Sequence, residues 1–133
     1  MAGRLLLDTS VVVEYLRHGT LLVDPLRSGT ELYLPVTVVG ELRYGVEVAT
    51  GKKGEKREGV EAFVSDVEVL SLGVDTADHY AACKAALKRA GRPIPENDIW
   101  IAAVALEHGL PLFSKDAHFS WIPGVELVAP VEE

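Results

Sequence analysis

Cysteine is nearly missing from this chain. Cys83 stands alone among 133 residues, which excludes an intramolecular disulfide and a thiolate metal cluster. No apolar stretch approaches the roughly 20 residues that a membrane helix needs. The first residues carry one arginine and a short leucine run before Asp8, which does not make a signal peptide. Together these features point to the cytoplasm. A glycine-rich phosphate loop is also lacking, as is the spacing of a serine or cysteine triad. Positive charge is in deficit: 13 Lys and Arg face 20 Asp and Glu, for a net charge of −7. That sum argues against a nucleic-acid partner, but the local distribution of charge decides more than the total. Eight of the 13 basic residues fall in two short windows, Lys52, Lys53, Lys56, Arg57 and Lys84, Lys88, Arg89, Arg92. Each window reads first as a solvated face and second as a phosphate-binding surface.

What is present describes a soluble domain. The hydrophobic fraction is 48% and the charged fraction 25%, both ordinary for a globular protein. The length suits one domain over 1–133 with a sizeable core. Arg4-Leu5-Leu6-Leu7 reads as a strand covered on both faces, and it stops at Asp8-Thr9-Ser10. Any of these three residues can cap the following helix, Ser10 to His18, which Gly19 ends. A short helical piece near 23–28 leads to a second strand, Glu31 to Leu34, closed by Pro35. Thr37 is read as the cap of a helix from Val38 to about Ala49. The polar Gly51–Glu55 segment reads as a mobile loop. Further on come a helix near Lys56 to Val64, a strand Val67 to Leu72, and a helix from Asp75 or Thr76 to Ala90. After Pro93 and Pro95, Asn97 is read as the cap of an apolar helix, Ile99 to His108. Pro111 to Ser114 and Val125 to Val128 complete the strands. Regular alternation of strand and helix predicts a three-layer α/β/α sandwich around a mainly parallel, five-stranded sheet.

Four carboxylates stand out from this pattern. Asp8 and Asp116 follow apolar strands, Asp98 opens a helix, and Glu41 shares the apolar face of Val38, Leu42 and Gly45. In a doubly wound fold, strand exits and helix starts converge at the carboxyl edge of the sheet. Asp8 and Asp98 have a plainer reading as capping or dipole-complementing groups. Glu41 has none so simple, because Arg43, two positions on, faces elsewhere. Carboxylates packed together repel unless protons or a cation intervene, and oxygen-only ligands suit magnesium or manganese rather than zinc. Such a centre suits phosphodiester hydrolysis through a metal-activated water. The sequence leaves one ion or two open.

The strings Leu7-Asp8-Thr9-Ser10, Val39-Gly40-Glu41-Leu42-Arg43-Tyr44-Gly45, Pro95-Glu96-Asn97-Asp98-Ile99-Trp100-Ile101-Ala102-Ala103 and Phe113-Ser114-Lys115-Asp116-Ala117-His118-Phe119 occur in this order across nearly the whole chain. They resemble the successive motifs of PIN-domain ribonucleases, most of all the VapC toxins of VapBC toxin–antitoxin pairs. The resemblance implies a PIN-like fold and a magnesium-dependent endoribonuclease, with manganese as an alternative ion. It implies Asp8, Glu41, Asp98 and Asp116 as the acidic quartet, with Asp8, Asp98 and Asp116 on the metal. Thr9, Ser114 and Asn97 would stand behind them and orient carboxylates or water. Substrate RNA would be held by cations such as Arg43, Lys88 and Arg89. A homodimer is implied too, and a small antitoxin that plugs the acidic pocket with a basic side chain. One departure is His118, where many relatives carry a second acid before the phenylalanine. Two other readings remain beside this one. A haloacid-dehalogenase-like magnesium phosphatase would want a second aspartate where Ser10 stands, and a non-catalytic dimeric regulatory domain would not need all four acids.

Overall fold

The computed structural model describes residues 3–131. Its five strands are β1 (Arg4–Leu7), β2 (Glu31–Pro35), β3 (Glu68–Leu70), β4 (Leu112–Phe113) and β5 (Leu127–Val128). They form one parallel sheet in the order β3-β2-β1-β4-β5. The central strand is β1, with Leu6 opposite Tyr33 on one side and Leu112 on the other. Leu6 and Leu7 point to opposite faces of the sheet, and both are fully buried. Both faces are therefore covered, which is the α/β/α layering that an uninterrupted leucine run predicts.

Six α-helices make the covering layers among the described residues. These are α1 (Thr9–His18), α2 (Val23–Arg27), α3 (Val36–Glu47), α4 (Lys53–Asp66), α5 (Val74–Ala90) and α6 (Glu96–His108). The predicted stop at the end of α1 is present: Gly19 adopts a left-handed φ of 68° and donates its N–H to the Tyr15 carbonyl, a conformation glycine reaches without a Cβ clash. Along α6, Ile99, Ile101, Ala102, Ala103, Val104 and Ala105 are all buried, as an all-round apolar helix requires. Cys83 on α5 is buried as well, and burial pushes its thiol up. It is a small core residue rather than a reactive one. Among the described residues, no helix is long and apolar enough to cross a membrane.

Several boundaries differ from the sequence expectation. α6 opens at Glu96 with Pro95 as its extended N-cap, so Asn97 lies inside the first turn, exposed, and caps nothing. α3 likewise starts directly after Pro35. Thr37 sits inside that helix, and its buried hydroxyl makes no hydrogen bond among the described residues. In both places a proline with its own φ preset delivers the chain into the helix, so no hydroxyl or amide cap is used. α4 reaches back to Lys53, into the segment expected to be a loop. β3, β4 and β5 are shorter than expected, and a 3-10 helix, Ala117–Trp121, follows β4.

Because α6 has no solvent face along its middle, cutting Ile101 to alanine opens space that its neighbours cannot refill. We expect Ile101→Ala to lower unfolding free energy by about 2–5 kcal/mol, read as a lower urea midpoint at unchanged m-value.

Candidate metal centre

β1 and β4 lie side by side, and the chain leaves β1 toward β2 on one flank while β4 and β5 occupy the other. The strand order turns at this junction, the place where open parallel sheets form a crevice. Asp8 is the first residue beyond β1 and is 3% exposed. Its Oδ1 accepts the Val11 N–H at 3.2 Å and the Ser10 hydroxyl at 2.8 Å. Its Oδ2 accepts the hydroxyl of Ser114, the residue just past β4. Asp8 thus is the helix cap that the sequence allowed, and it is also tied across the sheet. Ser114 Oγ in turn accepts the Asp116 N–H at 3.0 Å. One serine therefore fixes the spacing between two acidic segments.

Thr9, the first residue of α1, donates its hydroxyl to Glu41 Oε1 at 2.8 Å. Glu41 lies on α3 and is half-buried. Its inward position thus has a partner, but the partner is a hydroxyl from α1 rather than a basic side chain. Asp98 enters from the first turn of α6. Burial pushes its carboxyl above the ordinary carboxylate range; His118 opposes the rise, while the charges of Asp8 and Asp116 add to it. His118 Nε2 lies 3.0 Å from Asp98 Oδ2, and Nδ1 lies 3.8 Å from Asp116 Oδ1.

Asp8, Asp98 and Asp116 line one cleft of about 440 Å³, with Arg17 and Lys115 also on its wall. Lys115 is held by Glu14 at 3.1 Å. Glu41 is not part of this wall and connects to it through Thr9. Of the proposed RNA contacts, Arg43 gives its guanidinium to Glu61 in two hydrogen bonds, 3.1 and 2.8 Å long. Lys88 and Arg89 are exposed in the last turn of α5, outside the cleft wall. Asn97 makes no contact with these carboxylates that would orient them. Sequence reasoning missed Arg17 and the Ser10 bond. The second had a signal, a hydroxyl two residues after an aspartate cap.

The donors that lie close enough to share a dication are two carboxylates and an imidazole, and Asp8 stands outside that group. One ligand atom each from Asp98, Asp116 and His118 lie within 4.8 Å of one another. The buried Nε2 of His118 makes no well-directed hydrogen bond despite its closeness to Asp98. Residues 5–125 match the family model of the PIN domain. The chain belongs to the PIN domain family. This membership replaces the haloacid-dehalogenase-like alternative. Ribonuclease VapC4 of Mycobacterium tuberculosis is 34% identical over 130 residues, covering 94% of this chain and 95% of the relative. A DNA-bound VapBC structure from Salmonella typhimurium matches at a TM-score of 0.86 and 26% identity, over 97% of this chain and 98% of that one. VapBC2 of Rickettsia felis, bound to a promoter DNA fragment, reaches 0.87 at 22% identity, over 96% and 99%, and speaks for the fold. In this PIN domain the carboxyl edge of the sheet is where the acidic side chains gather.

The raised Asp98 carboxyl makes a signed prediction for metal-free protein. A carboxyl that holds its proton more tightly when folded costs stability as pH rises from its unfolded pKa through its folded one. In chelator, Asp98→Asn should therefore be more stable than wild type at pH 7, with the gap closing as pH falls into the ordinary carboxylate range. Urea midpoints across that range read the difference. A gap that stays constant with pH contradicts the assignment.

Proposed function

We propose that this chain is a divalent-metal-dependent endoribonuclease, the toxin of a toxin–antitoxin pair, which hydrolyses RNA phosphodiester bonds in the Asp8–Asp98–Asp116 cleft. The observation that carries this reading is the meeting of these three acids, from β1, α6 and the segment after β4, on one cleft wall in a PIN domain. Relatives named as ribonucleases across nearly their full length support it. Asp8, Asp98 and Asp116 would hold the ion, magnesium or manganese. When bound, the ion lowers the pKa of a water and offsets charge that builds on the phosphate.

The protein's own residues hold this arrangement in place. Ser114 holds the Asp8 carboxylate on one side and the Asp116 backbone on the other, which ties the two acidic segments together. Thr9 keeps Glu41 within reach of the site. Arg17, on the cleft wall, offers a cation for the RNA backbone, and Lys88 and Arg89, exposed on the last turn of α5, offer two more outside it. Such contacts weaken with salt. A VapB-like antitoxin that lays a basic side chain into the cleft would silence the enzyme, and the VapBC complexes among the structural relatives support a partner of this kind. The reading places the toxin in the cytoplasm, as a homodimer.

Purified full-length chain should cleave RNA, lose the activity in EDTA and regain it with Mg²⁺ or Mn²⁺. Ser114→Ala removes a supporting hydrogen bond and should cost about 10- to 100-fold in metal affinity or rate. Asp98→Asn removes a ligand and should cost more than that. Expression of the wild type should arrest growth, and either Asp98→Asn or the neighbouring antitoxin should relieve the arrest. Cleavage that survives both chelator and Asp98→Asn, or a trapped covalent phosphoenzyme, would overturn the proposal.

A further inference from the structure

We propose that His118 Nε2 is itself a ligand of the ion held by Asp98 and Asp116, which makes the centre a mixed nitrogen–oxygen site that favours manganese and later first-row dications over magnesium. The inference rests on the reading of the cleft as a metal site and adds a ligand and an ion preference to it.

Three observations carry it. The first is the unsatisfied nitrogen. Nε2 is buried and makes no hydrogen bond among the described residues, although Asp98 Oδ2 is only 3.0 Å away. A donor at that distance normally turns to complete the bond. Nε2 thus stands beside a carboxylate oxygen without meeting the geometry of a hydrogen bond to it.

The second is the spacing. Adjacent ligands of an octahedral ion with bonds of about 2.1 Å stand about 3.0 Å apart. The Nε2 to Asp98 Oδ2 distance has that value, and one ligand atom each from Asp98, Asp116 and His118 lie within 4.8 Å of one another. Two groups that share an ion need this separation without a bond between them.

The third is the anchoring of the ring. His118 belongs to the 3-10 helix Ala117–Trp121, whose Phe119 is fully buried. The imidazole lies 4.8 Å from the Phe119 ring and 6.1 Å from the Trp121 ring. Nδ1 stands 3.8 Å from Asp116 Oδ1, beyond hydrogen-bond reach. The ring is therefore placed in advance rather than recruited. Imidazole nitrogen suits the later first-row ions, whereas an all-oxygen shell suits magnesium, so this one side chain shifts the preference.

The test is pulsed electron paramagnetic resonance of the full-length protein loaded with Mn²⁺ alone, which detects nitrogen bound directly to the ion. Wild type should show the ¹⁴N modulation of a coordinated imidazole. His118→Asp, which restores an oxygen donor, should bind Mn²⁺ without it. His118→Ala should lose Mn²⁺ affinity by at least about tenfold, with a smaller loss for Mg²⁺. Mn²⁺ bound with no nitrogen modulation, or with modulation that persists in His118→Asp, overturns the role of His118 and leaves the cleft as an all-oxygen metal site. Failure of the wild type to bind Mn²⁺ at all overturns both.

Discussion

Asp8 is a carboxylate buried where two neighbouring parallel strands end, and the site is arranged around the need to satisfy it. A charge in that position is costly unless its oxygens are engaged. One oxygen takes the Val11 N–H in the first turn of α1 and the Ser10 hydroxyl; the other takes the hydroxyl of Ser114, just past the adjacent strand. These bonds fix the side chain at the sheet's carboxyl edge, and they join a residue at the start of the chain to one 106 positions later. Hydroxyls can hold the carboxylate without neutralising it. Its negative charge therefore remains to act on Asp98, and that repulsion contributes to the raised Asp98 carboxyl.

The fold keeps like charges close and leaves room between them for something positive. Arg17 and Lys115 are on the cleft wall, yet Lys115 is engaged by Glu14. His118 stands between Asp98 and Asp116 with one buried nitrogen unbonded. Among the described residues no lysine or arginine pairs with Asp8, Asp98 or Asp116, which suits a cation site, and in a PIN domain that points to phosphodiester chemistry.

Much of this was legible in local pattern. A leucine run ending in aspartate announced a covered parallel strand and a strand-exit acid. The glycines after His18, Ala90 and His108 marked helix ends, and all three adopt left-handed conformations there. The same patterns misled where proline took over from hydroxyl and amide caps, at Pro35 and Pro95. The 3-10 helix after β4 was missed because five residues of mixed character carry no periodicity. The candidate acids were also legible, at strand exits, at a helix start and on an apolar helix face, although Asp8 caps α1 as well. What joins them was not. Ser114 reaching Asp8, and Thr9 reaching Glu41, are consequences of sheet order and helix packing, which no window along the chain records. His118 shows the limit most clearly: its closeness to Asp116 and its place in the last motif set it apart from the other histidines in sequence, but its placement against Asp98 depends on how α6 meets the segment after β4.

The central claim is that the cleft acids are arranged for a dication, and anomalous scattering from a crystal of the wild-type protein grown with Mn²⁺ tests it most directly. The account predicts a peak between Asp98 and Asp116, adjoining Asp8, at about 2.0–2.3 Å from carboxylate oxygens. A cleft without such a peak at saturating Mn²⁺, its carboxylates instead bonded to one another through protons or closed by Arg17, would contradict it.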